Sequence, residues 1–339
     1  MNKQWDALKD IPDLHGKVVV VTGGSNGIGF ETVRLLAQRG AKVYFTSRSE
    51  SKARNAKDIL QTNYPDIEAN NIDWLLLDLS DLKSIDAAAH ALNEKESKVD
   101  ILINNAAYST LSNELLYGRW EQHLAVNYIG PFFFVNRVMP LLKNALKAKD
   151  ADVRIINLSS LAQVTMLPQN FEFHFDSTDC LRNPVRAHPW QWRYIGRFMF
   201  GFDLIRYAVS KAAVALFTKE LQRRLDEQGL PIVSVAVHPG EVATEGLMIV
   251  NYLFIRTIAR LFFLASEQGA ATSAFAATAI EVRQNIENYK GKFLVPVGKV
   301  ESPNAVVEDD KQIKGLWETT NMEVNEQLVT EGLAPLDMW

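Results

Sequence analysis

The stretch VVVTGGSNGIGFETVRLLAQRG, Val19–Gly40, decides the fold. It opens on a Val-rich apolar run, Lys17–Thr22, of the kind that forms a strand buried on both faces. It closes on a helical pattern carried by Ile28, Val33, Leu35 and Leu36. Between the two lie Gly23, Gly27 and Gly29. Glycines at a strand–helix junction permit a tight turn and let backbone approach a pyrophosphate closely. The free N–H groups and the dipole of the following helix then face the phosphate charge. A glycine trio alone is a weak signal. Its place at the first strand–helix junction of an alternating chain gives it weight.

That alternation continues outward from the turn. Further strands are expected at Lys42–Thr46, Asp73–Leu79, Asp100–Asn104, Val153–Ser159, Ile232–His238 and Lys292–Val297, with helices between them. The longest helical patterns run over Glu114–Lys147 and Leu204–Gln228. Strands alternating with helices imply parallel crossovers. The expected fold is therefore α/β, a Rossmann-type doubly wound parallel sheet of about seven strands with helices on both faces. One catalytic domain is expected over 17–300, with an insertion at about 162–202. An N-terminal extension (1–16) and a partly helical C-terminal extension (301–339) flank it.

The turn reads TG-x-x-x-G-x-G, and with it the sequence resembles the short-chain dehydrogenase/reductase family. NNAA (Asn104–Ala107), Asn127 in AVNYIG, Ser160 in INLSS, YAVSK (Tyr207–Lys211) and HPGEVAT (His238–Thr244) match the family's ordered motifs, each at the end of an expected element. The likeness spans roughly Lys17 to Val297 and is strongest to the retinol-dehydrogenase-like branch. Two departures stand out: Gln163 where many relatives have glycine, and Ala107 in place of the glycine of NNAG.

Tyr207 and Lys211 are four residues apart and project from one face of a helix. A free phenol is a poor base at neutral pH, and a neighbouring ammonium favours the phenolate. The resemblance implies that Tyr207 exchanges a proton with the substrate oxygen and that Ser160 donates a hydrogen bond to it. It further implies that Lys211 lowers the phenol pKa and holds the nicotinamide ribose, and that Asn127 supports a water-mediated proton relay. Ser159 is the rival of Ser160. The cofactor-binding set expected from the motifs is Gly23, Ser25, Asn26, Gly27, Ile28, Gly29, Ser47, Arg48, Lys52, Asp78, Leu79, Asn105, Ala106, Ala107, Tyr207, Lys211, Pro239, Gly240, Val242 and Thr244. NADP(H) is expected over NAD(H). Ser47 and Arg48 end the second strand where an NAD site typically places an acidic side chain, and an arginine fork suits a 2′-phosphate.

The expected activity is interconversion of an alcohol and a ketone or aldehyde on a bulky, largely apolar small molecule. Ser160 and Tyr207 lie 47 residues apart in sequence, so the chain between them must loop out at the mouth of the site. This segment contains Phe171, Phe173, Phe175, Trp190, Trp192, Tyr194, Phe198, Met199 and Phe200, which suit a pocket wall or, alternatively, a satellite core. Two other readings share the fold: a scaffold or sensor holding NADP without turnover, and an isomerase or epimerase. The intact Asn127, Ser160, Tyr207 and Lys211 set favours the enzyme.

Composition narrows the partners. The 36 Lys and Arg against 40 Asp and Glu give a net charge of −4, which argues against a nucleic-acid binder. The single cysteine, Cys180, cannot form an internal disulfide, and the polar N-terminus lacks a signal-peptide core; a cytoplasmic location is expected. The apolar segment Gly246–Ala265 is broken by Asn251, Arg256 and Arg260, so it reads as amphipathic rather than membrane-spanning. It would cover a substrate pocket or lie on a membrane surface. No metal-ligand spacing surrounds His174, His188 or His238. The sequence leaves a homodimer open.

Overall fold

The computed structural model describes residues 5–168, 170–188, 190, 192, 200–242 and 265–337. Strands β1 (Val18–Val21), β2 (Lys42–Ser47), β3 (Ile72–Leu76), β4 (Ile101–Asn104), β7 (Val153–Leu158), β8 (Ile232–Val237), β9 (Phe293–Val295) and β10 (Lys299–Glu301) form one sheet. Strands β5 (Leu115–Leu116) and β6 (Trp120–Glu121) form a separate small hairpin. The order across the large sheet is β10-β9-β8-β7-β4-β1-β2-β3. All its pairings are parallel except β9 with β10.

The chain winds outward from β1 through β2 to β3, then crosses back and winds the other way from β4. The reversal falls between β1 and β4. In open α/β sheets ligands bind beyond the carboxyl ends of the strands at such a switch point. The glycine turn follows β1 and NNAA follows β4, so the fold brings both to this crevice.

Side chains along β1 alternate between two apolar layers. Val18 and Val20 pack with helices α4 (Leu82–Lys95), α5 (Gly130–Ala145), α6 (Leu204–Glu227) and α8 (Asp310–Thr330). Val19 and Val21 pack on the other face with α1 (Ala7–Asp10), α2 (Gly27–Ala37), α3 (Glu50–Asn63) and α7 (Ser266–Thr278). Burial on both faces is why these strands lack a polar alternation. Side-chain caps start several helices: Ser49 for α3, Asp81 for α4, Asp203 for α6 and Asp309 for α8.

Three sequence expectations change. The sheet has eight strands rather than about seven; β10 is a short antiparallel edge that follows β9 through a tight turn at Gly298 (φ +71). The expected helix over Glu114–Lys147 begins only at Gln122, because the residues before it turn back as the β5–β6 hairpin, with Tyr117 and Gly118 both at positive φ. The third strand ends at Leu76, not Leu79, and its last three expected residues run into the loop capping α4.

The insertion divides. Phe175 is fully buried, and Phe171 and Phe173 pack against the same core layer. The Phe175 N–H donates to Gln312 Oε1 (2.7 Å), and Gly315 of α8 lies so close to Asp176 that a Cβ there would meet its Cα at 2.5 Å. This half packs into the core beside the C-terminal helix. Trp190 is 69% exposed, and Trp192 packs partly buried on the core. Tyr194, Phe198 and Met199 lie outside the described residues, as do Thr244 and all of Gly246–Ala265 except Ala265.

Candidate active site

The glycine turn is built by backbone contacts that admit no side chain. Gly23 and Gly27 hold φ of +67° and +55°. A Cβ on Gly29 would sit 2.3 Å from the Gly23 carbonyl oxygen and 2.5 Å from Asn105 Nδ2. Asn105 Nδ2 donates to the Thr22 carbonyl (2.8 Å) and lies 3.3 Å from that of Gly23. The Ala106 N–H donates to Thr22 Oγ1 (3.0 Å). The middle two residues of the NNAA segment, Asn105 and Ala106, thus clamp the turn from the β4 side. Asn26, at the N-cap of α2, makes no side-chain capping bond, so the helix start is not closed by its own chain. That open N-terminus, with Ser25, Asn26, Gly27 and Ile28 around it, fits a pyrophosphate.

The remaining expected cofactor residues among those described lie at or after the carboxyl ends of β2, β3, β4 and β8. Ser47 is buried and its Oγ donates to the Ser49 carbonyl (3.0 Å); Arg48 and, on the first turn of α3, Lys52 are exposed beside it. Asp78 accepts from the Ser80 N–H (2.9 Å). Leu79 presses its carbonyl against Gly130, where a Cβ would meet it at 2.5 Å. Ala107 is exposed at the carboxyl end of β4. After β8, Pro239 and Gly240 turn the chain, Gly240 at φ +94°, and buried Val242 seats against Ile28 and Gly269.

Gly29→Ala must push Gly23 and Asn105 apart, both backbone-anchored. We expect the NADPH Kd to rise at least about 10-fold, measured by fluorescence titration; an unchanged Kd would show that the turn does not hold the cofactor.

Three of the four expected catalytic residues, Ser160, Tyr207 and Lys211, come together after β7, and Asn127 bonds to Ser210 of the same helix as Tyr207. Lys211 Nζ lies 5.6 Å from the Tyr207 ring centroid. The Ser160 hydroxyl faces the phenol and acts to lower its pKa. Ser159 is turned elsewhere: its Oγ donates to the Lys211 carbonyl (2.7 Å) and accepts from Gln163 Nε2 (3.1 Å). Gln163, the departure from the family's glycine, therefore holds Ser159 and leaves Ser160 on the phenol side.

Asn127 sits in a π turn, Ala125–Ile129, at the head of α5. Such turns recur at functional sites. Its Oδ1 accepts from the Tyr108 N–H (2.6 Å), and its Nδ2 donates to the Tyr108 carbonyl (3.0 Å) and to Ser210 Oγ (2.9 Å). Both amide hydrogens are thus committed, and the side chain ties the loop after β4 to the helix of Tyr207.

The electrostatics differ from the simple expectation. Burial, reinforced by the charge of Glu241, pushes the Tyr207 phenol up to about 12, against the opposing effect of Ser160. Burial brings Lys211, 2% exposed, down to about 7, with Nζ donating to the Leu158 carbonyl (2.8 Å). Both groups favour their neutral forms, because two charges are costly in so dry a place. Burial and the nearby Lys211 also bring His238 down to about 4. A neutral phenol in hydrogen-bonding reach of a serine can donate a proton to a carbonyl oxygen.

Four residues beside the phenol escaped the sequence reading. His123 and Phe202 set their rings edge-on to Tyr207, at 6.5 and 5.5 Å between centroids. Glu121 and Arg206 stand behind His123. The signal was available: His123 precedes Asn127 by four residues, one helical turn.

A short-chain dehydrogenase profile matches residues 17–171. A short chain dehydrogenase/reductase from Colletotrichum higginsianum is 40% identical over 316 residues, 93% of this chain and 76% of that protein. The chain belongs to the short-chain dehydrogenase/reductase family. This family member also resembles retinol dehydrogenase 12 from Mus musculus, 35% identical over 285 residues, covering 83% of this chain and 78% of that protein. The NADPH-bound carbonyl reductase from chicken fatty liver shares the fold, with a TM-score of 0.58 and 24% identity, covering 85% of this chain and all of that one. Membership makes the chain one of a family of oxidoreductases. Among the described residues no helix is long and apolar enough to cross a membrane, and no cluster of His, Cys, Asp and Glu could hold a metal ion. Burial pushes the Cys180 thiol up to about 12, so it is not a ready nucleophile.

Proposed function

We propose that the protein is an NADP(H)-dependent oxidoreductase that interconverts an alcohol and a ketone or aldehyde on a bulky, largely apolar molecule. The observation that carries this reading is the convergence of Ser160, Tyr207 and Lys211 at the switch-point crevice, beside an open glycine turn.

The cofactor would supply or accept the hydride. The chain's own residues do the rest. Tyr207 gives a proton to the carbonyl oxygen in reduction and takes it back in oxidation. Ser160 holds the same oxygen. Lys211, from the next turn of α6, stands 5.6 Å from the phenol ring and would reach toward the ribose. The turn from Gly23 to Gly29 would take the pyrophosphate, Asp78 and Leu79 would flank the adenine, and Pro239, Gly240 and Val242 would border the nicotinamide side; Thr244 lies outside the described residues. The apolar substrate reading rests on Phe202, which meets Tyr207 edge-on from the end of the insertion with Phe200 edge-on behind it at 5.8 Å, and on the retinol dehydrogenases among the relatives. The test is NADPH absorbance followed against a panel of ketones, aldehydes and alcohols. Turnover of small polar carbonyls alone would refute the substrate class. NADPH binding with no turnover on any carbonyl would favour a scaffold.

NADP(H) preference is proposed from Arg48, which is exposed at the end of β2 with Lys52 nearby and no carboxylate in its place. A charge-assisted fork on a 2′-phosphate is worth about 1.5–3 kcal/mol. Arg48→Ala is therefore expected to raise the NADPH Kd roughly 10- to 100-fold and to leave NADH binding nearly unchanged. Equal losses for the two cofactors would count against Arg48 as the discriminator.

A further inference from the structure

His123 is wholly buried, one turn before Asn127, and nothing so far gives it a task. Its two ring nitrogens are both used. Nε2 lies 3.2 Å from the Thr110 N–H, which can only donate, so Nε2 must accept. The proton then sits on Nδ1, which donates to Glu121 Oε1 at 2.7 Å. Glu121 is itself buried; its other oxygen accepts from the Leu124 N–H (2.9 Å), and Arg206 Nη1 stands 3.8 Å away. The tautomer and the ring plane are thereby fixed. The ring meets Tyr207 edge-on at an interplanar angle of 75°.

The same histidine holds the rim of the site. Thr110, bonded to His123, accepts from the Asp203 N–H at the start of α6 (2.9 Å). Arg206 Nη1 donates to the Ser112 carbonyl (3.0 Å). The loop after β4, the first turn of α6 and the Tyr207 ring thus share one hub. Burying Glu121 is costly unless the network it anchors is complete.

We propose that His123 is a positioning residue for Tyr207: its ring, locked by Thr110 and Glu121, fixes the phenol relative to Ser160. The inference rests on the reading of Tyr207 as the proton donor. A displacement of about 1 Å at a reacting group can cost on the order of 100-fold in rate.

Two substitutions separate the ring from its bonds. Asparagine at this position keeps a donor toward Glu121 but removes the ring. Phenylalanine keeps the ring and loses both polar bonds. We expect His123→Asn to lower kcat about 10- to 100-fold, with KM and the NADPH Kd within about twofold of wild type. His123→Phe should be less stable yet recover about 10-fold of that kcat per NADPH-binding site. Rates are read with all-trans-retinal, or whichever panel carbonyl the wild-type chain reduces. Tyrosinate absorbance, taken as the difference from a Tyr207→Phe counterpart, reads the phenol without any substrate and should shift in His123→Asn. A wild-type kcat in His123→Asn overturns the proposal. So does a loss of kcat matched by an equal loss of NADPH-binding sites, or an equal loss in the two variants. If His123→Asn does not fold, the pair His123→Phe with Glu121→Gln keeps a ring and removes the buried charge together with its partner; kcat is expected within about 10-fold of wild type with the NADPH Kd unchanged, and a loss beyond about 100-fold overturns the proposal. Turnover surviving in Tyr207→Phe itself would strike the reading of the active site instead.

Discussion

Tyr207→Phe is expected to lower kcat by about 1,000-fold or more while NADPH binds within about twofold of wild type. The substitution removes one hydroxyl and leaves the ring. Phe202 and His123 still hold that ring edge-on, so the pocket keeps its shape. Steady-state rates and fluorescence titration check the two halves separately, and turnover within tenfold of wild type would end the assignment. The wild-type enzyme should also show a directional pH response. The phenol pKa is pushed up to about 12, so its proton is held through neutral pH and released only in alkali. Carbonyl reduction, which needs the acid form, should run at neutral pH. Alcohol oxidation, which needs the base form, should rise as the pH increases. An oxidation rate that falls between neutral and alkaline pH would contradict this.

Lys211→Met is expected to abolish turnover and yet to stabilise the fold at neutral pH. Burial brings Lys211 from 10.5 down to about 7. Between those values the unfolded chain holds a proton that the folded chain lacks. Stability therefore rises with pH across this window and carries its full deficit at and below about pH 7. A shift of that size corresponds to a deficit on the order of 4 kcal/mol. Methionine has a similar reach and no charge to desolvate. It loses the bond from Nζ to the Leu158 carbonyl, worth about 1 kcal/mol. A net gain of about 2–3 kcal/mol at pH 7 should remain and should fade toward pH 10. Denaturant melts at several pH values measure it. A variant less stable than wild type at neutral pH, or a gain that does not shrink in alkali, would refute the account. Stability given up at a working site for the sake of chemistry is a recurrent trade.

Local patterns in the sequence carry the fold far. All seven expected strands are present in the sheet, because runs such as Val18–Val21 and Ile232–Val237 are buried on both faces and have no polar partner to disguise them. The exception at Glu114–Lys147 is instructive. Leu115, Leu116 and Trp120 continue a helix-like apolar rhythm, but Tyr117 and Gly118 sit at positive φ and reverse the chain. Strand β10 was hidden for a different cause. It is three residues long and is half exposed, with no periodicity to read.

What the sequence by itself determined is the order of elements, the crevice and the residue types that meet there. Glycine spacing, the four-residue step from Tyr207 to Lys211 and the apolar strand runs are all local, so they survive translation into three dimensions unchanged. What only the tertiary structure decided are the relations between distant segments. Ser160 rather than Ser159 faces the phenol because Gln163 and the Lys211 carbonyl take the other hydroxyl. Phe171, Phe173 and Phe175 join the core because the C-terminal helix, more than 130 residues on, arrives beside them. Tyr207 and Lys211 both favour neutrality because burial, which no spacing encodes, outweighs the attraction between them.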